Sequence, residues 1–76
     1  MSFQAYLDNI EAKTGKTPDD FRALAAEKGF TEGSTLAKGV KADQIVDWMA
    51  KDFDLGRGHA MAIYALLKGM KQVGDA

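Results

Sequence analysis

Leu55-Gly56-Arg57-Gly58-His59-Ala60 is the most informative stretch of this chain, because its two glycines separate the last two predicted helices. At a helix start, a turn of this kind can present backbone N–H groups, a guanidinium and the only histidine of the sequence to one ligand. The same turn can also be a tight connection between two packed helices. The sequence favours the packing interpretation, since a glycine pair between two helices most often allows a tight backbone connection. A ligand site at this turn is the alternative.

Helix signals on both sides of the turn predict four short helices. Apolar residues recur at i, i+3, i+4 and i+7 in the first of them, beginning at Phe3. Ser2 and Thr17 are predicted N-caps, and Gly15 and Gly29 are predicted to end the first two helices. The predicted helices cover about residues 3–14, 18–28, 42–53 and 58–70.

The links between these helices predict the fold class. Residues 30–40 contain two glycines and no sustained period, which predicts a flexible loop, and no segment has a strand pattern. The other two links are short, so helices one and two, and helices three and four, are expected to form two αα-hairpins stacked around one core. The fourth helix has the widest apolar stripe and is predicted to be central. We therefore expect an all-α single domain over residues 1–76.

Composition and charge disfavour several classes of function. The chain has ten Lys plus Arg against eleven Asp plus Glu, a formal net charge of −1, with neither sign concentrated in one segment. Binding to nucleic acid or to a membrane through a basic patch is therefore disfavoured. The sequence has no cysteine and one histidine, which cannot supply the usual zinc ligands. We expect no metal and no cofactor.

The sequence also predicts a cytoplasmic location. The longest apolar run, Ala60 to Leu67, is too short to span a bilayer. The first residues lack the basic and apolar regions of a signal peptide. The absence of cysteine agrees with a reducing compartment.

The packing interpretation assigns a structural role to each residue of the turn. Gly56 is expected to adopt a positive φ, and Gly58 is expected to let the third helix cross closely over the fourth. His59 then caps the helix or packs against a neighbour. Asp52 or Asp54 is the predicted ion-pair partner of Arg57.

Trp48 is a second candidate site residue. It falls just off the apolar stripe of the third helix, which predicts a partly exposed ring at the margin of the core. Such a ring either anchors a partner or covers the core edge over residues 30–40, and the second interpretation is favoured. No nucleophile, base and orienting group come together in the sequence, so we expect no enzyme.

The spacing Leu55-Gly56-x-Gly58-x-x-x-Ala62 resembles the helix-hairpin-helix motif of DNA-binding proteins, over about residues 45–66. The resemblance implies a hairpin whose backbone amides contact a DNA phosphate. Arg57 stands where that motif has a buried aliphatic residue, and basic residues just after the second glycine are missing. Because of these two departures, a nucleic-acid-binding domain is kept as the alternative function and is not the favoured one.

Two further blocks resemble a family of small bacterial proteins known as a domain of unknown function. The first is Ser-Phe-Gln-x-Tyr-Leu-x-x-Ile-Glu-x-Lys-Thr-Gly-Lys-Thr-Pro, from Ser2 to Pro18. The second is Gly-x-Gly-His-Ala-Met-Ala, from Gly56 to Ala62, after a helix that bears Trp48. This resemblance implies an all-helical module with a shared site around the second block, and it implies no reaction. Residues 31–39 fit the pattern least well, which indicates a variable loop.

The hypothesis from the sequence is a non-enzymatic helical binding or interaction module. Its partner is expected to be a protein or a small anionic ligand, and the module itself a monomer or a weak homodimer. The candidate binding residues are Gly56, Arg57, Gly58, His59 and Trp48.

Overall fold

The fold is mostly α-helical, as predicted, with a very small sheet in addition. The computed structural model describes residues 2–33 and 35–69. The elements in chain order are α1 (Phe3–Thr14), α2 (Pro18–Lys28), β1 (Thr31–Glu32), β2 (Thr35–Leu36), α3 (Ala42–Phe53) and α4 (Arg57–Lys68). The last helix begins one residue before its predicted start and ends at Lys68, where Gly69 follows with a left-handed φ of 85°; residue 70, the predicted end, lies outside the described residues.

Local capping groups set the ends of α1 and α2. The Ser2 hydroxyl accepts a backbone hydrogen bond in the first turn of α1. At α2, the Thr17 hydroxyl accepts from the Asp20 N–H at 3.2 Å and the Asp20 carboxylate accepts from the Thr17 N–H at 2.9 Å, a reciprocal capping box. Gly15 and Gly29 follow the two helices with left-handed φ angles of 75° and 80°. These local signals explain why both helices span the predicted residues.

α4 is the central helix, which confirms the prediction. It contacts α1, α2 and α3, most extensively α3. α1 and α2 each contact α4 more than they contact one another, so the first of the two predicted hairpins is open. The reason is that both helices bury their apolar faces against α4, which offers the widest apolar surface. The buried residues of α4 are Ala60, Ala62, Ile63, Leu66 and Leu67.

The core is apolar and draws on all four helices. Burial of these side chains supplies the main favourable term for folding, since short helices of this length are not stable alone. Outside α4, the buried apolar residues are Phe3, Leu7, Ile10, Phe21, Ala25, Ile45, Trp48, Met49 and Leu55.

The connection between α2 and α3 contains an antiparallel hairpin that the sequence does not predict. Thr31 pairs with Leu36 and Glu32 with Thr35, and Gly33 in the turn has a φ of 62°. The Thr35 hydroxyl donates to the carbonyl of Lys68 at 3.3 Å, which joins the hairpin to the end of α4. The prediction of no strand is wrong because two-residue strands are too short to show an alternating pattern.

Candidate binding site at the start of helix α4

The turn between α3 and α4 has its left-handed residue at Asp54, where φ is 55°. Aspartate tolerates this conformation better than most non-glycine residues. The next residue, Leu55, is 4% exposed, and its N–H donates to the Met49 carbonyl at 3.2 Å. Gly56 has a φ of −70° and a ψ of 169°, which is extended backbone. The prediction of a positive φ at Gly56 is therefore wrong, because Asp54 already reverses the chain.

Gly58 faces α1 and not α3. A Cβ built on Gly58 would lie 4.0 Å from the Cε1 atom of Tyr6, and a Cβ on Gly56 would meet nothing within 4 Å. A separation of 4.0 Å is ordinary van der Waals contact, so neither glycine is required by crowding. The predicted close crossing of the third helix at Gly58 is wrong, since the nearest neighbour there is a side chain of α1.

The first turn of α4 leaves its backbone N–H groups without a capping side chain. Gly56 is the N-cap, and no side-chain hydrogen bond caps this helix within the described part of the chain. The first helical bond runs from the Ala60 N–H to the Gly56 carbonyl at 2.9 Å, so the amides of Arg57, Gly58 and His59 lie before it. Residues 56–58 are exposed, and the first turn contains no acidic residue. This helix start can therefore accept a negatively charged group.

His59 packs against Tyr6 of α1. The two ring centroids are 5.2 Å apart and the ring planes meet at 82°, an edge-to-face arrangement. Both residues are half-buried. The predicted capping or packing role of His59 is thus observed as packing. Tyr6 is a neighbour of the turn that the sequence does not predict, because its place on the apolar stripe of α1 predicts only burial.

Arg57 forms no ion pair with either predicted partner. Asp52 instead lies 3.8 Å from Lys28, measured from Oδ2 to Nζ, because it is on the side of α3 that faces α2. No ion pair of Asp54 or Arg57 occurs among residues 2–33 and 35–69. The predicted pairing of Arg57 with Asp52 or Asp54 is wrong. Arg57 is exposed and is the first residue of the helix that has no side-chain cap.

Trp48 is buried, with 6% of its surface exposed, so the prediction of a partly exposed ring is wrong. Its ring centroid lies 5.4 Å from that of Phe30 and 5.9 Å from that of Phe53, and Lys28 Nζ lies 5.7 Å from it. The contact with Phe30 agrees with the favoured interpretation, in which Trp48 covers the core edge at the connection. None of these contacts is with residues 56–59.

Other features of the described residues do not add to this site. A partly open cavity of about 20 Å³ is lined by Arg22, Thr31, Gly33 and Leu67. It is smaller than the roughly 300–1,000 Å³ of small-molecule sites. Within the described ranges, no three carboxylate or histidine side chains are grouped to hold a metal ion. No helix in the same ranges has the length and apolar character to cross a membrane.

Five residues thus form one surface, which we call the α4 N-terminal surface: Tyr6, Gly56, Arg57, Gly58 and His59. The fold and this surface define a small, mostly α-helical domain with an exposed, uncapped helix start beside an arginine. The chain belongs to the family described as a domain of unknown function (DUF4287), whose model matches residues 2–69. This confirms the resemblance to a domain-of-unknown-function family. No curated protein and no solved structure matches the chain.

Proposed function

We propose that this protein is a non-enzymatic binding module whose α4 N-terminal surface binds an anionic group of its partner. One observation carries the proposal: the first-turn amides of α4 have no capping side chain within the described residues and lie beside the exposed Arg57. The positive end of a helix dipole favours a negative charge at this position.

Three kinds of donor on this surface are available to such a group. The first-turn amides donate along the helix axis, and the Arg57 guanidinium can make a bidentate bond to a carboxylate or a phosphate. The imidazole of His59 adds a further donor at the edge of the surface. Its contact with Tyr6 supports one ring orientation, which lowers the entropy lost on binding.

The partner in this proposal is an anionic group on a protein or on a small molecule, with no cofactor. The net charge of −1 and its even spread support such a partner over a nucleic acid, whose binding draws on clustered basic residues. We also propose a cytoplasmic, monomeric or weakly dimeric module that does not bind membranes. The absence of cysteine supports the cytoplasmic location.

A phosphate titration with matched arginine variants tests the proposal. The protein has one other arginine, Arg22 near the start of α2, which pairs with Asp19 at 3.5 Å. We expect Arg57→Gln to weaken inorganic phosphate binding at least about tenfold, because the bidentate, charge-assisted contact is lost. Arg22→Gln should leave the affinity unchanged. Amide chemical shifts measured at constant ionic strength give both affinities.

A second variant separates binding from stability. Gly56→Asp places a carboxylate at the N-cap, where the backbone is extended and nothing lies within 4 Å. This carboxylate should cap the first-turn amides, so phosphate binding is lost while the unfolding free energy does not fall. Equal weakening by both arginine variants, or unchanged binding in Gly56→Asp, would overturn the proposal. Binding of a DNA duplex with a steep salt dependence would favour the nucleic-acid alternative instead.

A further inference from the structure

We draw no further inference here: the strongest candidate, the buried indole N–H of Trp48 in the aromatic cluster between α2 and α3, has no hydrogen-bond acceptor among residues 2–33 and 35–69, and nothing in that part of the chain shows which ligand or partner would supply one.

Discussion

The rings of Tyr6 and His59 meet edge-to-face, with their centroids 5.2 Å apart. This contact joins the first half of α1 to the first turn of α4, two segments far apart in the sequence. The candidate site is therefore a tertiary surface and not only a local turn. Its geometry depends on the docking of α1 against α4.

The Tyr6–His59 contact predicts a measurable coupling energy. In a double-mutant cycle of Tyr6→Ala and His59→Ala, we expect the two losses of unfolding free energy to be non-additive by about 0.5–1.5 kcal/mol, the usual value of an aromatic pair. Urea unfolding of the four proteins measures this term. Tyr6→Phe keeps the ring and should keep the coupling. Additive losses in the alanine cycle would show that the contact does not stabilise the fold.

Gly58→Ala should stabilise the protein by about 0.5–1 kcal/mol. Gly58 lies inside α4, where glycine is a poor helix former, and the added Cβ would stand 4.0 Å from Tyr6. Thermal or urea unfolding measures the change. A loss of stability would mean that the glycine is required for close packing, which would restore the interpretation based on sequence alone.

The capping box of α2 predicts a stability contribution that depends on pH. The pKa of Asp20 lies below its ordinary value, first because its carboxylate accepts from the Thr17 N–H and second because of its hydrogen bond with the Thr17 side chain. The unfolded chain therefore takes up this proton more readily than the folded one. The contribution is fully present above the usual aspartate pKa of 3.8 and is lost as the pH falls through the lower folded value.

Two variants of the box test this prediction. Thr17→Ala should cost about 1 kcal/mol at neutral pH. The difference in unfolding free energy between the wild type and Asp20→Asn should be smaller at strongly acidic pH than at pH about 6. Asp19→Asn, next to the box but outside it, is the matched control. A difference for Asp20→Asn that stays constant with pH would contradict the account.

Asp54→Gly should raise the unfolding free energy, by less than about 1 kcal/mol. Asp54 has a φ of 55°, which glycine adopts without steric cost.

Gly56→Ser is the matching test at the start of α4. At a φ of −70° the serine is not strained and its hydroxyl can cap α4, so the unfolding free energy should not fall. Urea unfolding compares both variants with the wild type. Destabilisation by Gly56→Ser would indicate that this glycine is needed after all.

Helices α1 and α2 are predictable because their end signals are local. A serine or threonine at the N-cap, a proline at the first position and a glycine after the last turn each act within a few residues. The central place of α4 followed from its wide apolar stripe, because the helix with the largest apolar face must contact the most neighbours. Family membership followed from the two sequence blocks.

The details of the turn were not predictable from local signals. The sequence predicts a left-handed residue at Gly56, but Asp54, the residue directly after α3, takes this conformation. The neighbour of Gly58, the partner of Asp52 and the burial of Trp48 depend on how α1 and α2 dock, which no local pattern specifies. The short hairpin at residues 31–36 is unpredictable for a different reason: its two residue pairs are too few to show an alternating pattern.

The sharpest test of the anion site is a phosphate titration of the ¹⁵N-labelled protein. We expect saturable shifts, largest at the amides of Arg57, Gly58 and His59. The first-turn amides of α2, where the Thr17–Asp20 box already occupies the helix start, should not move. Absence of shifts at residues 57–59, or equal shifts at the start of α2, would contradict an anion site on the α4 N-terminal surface.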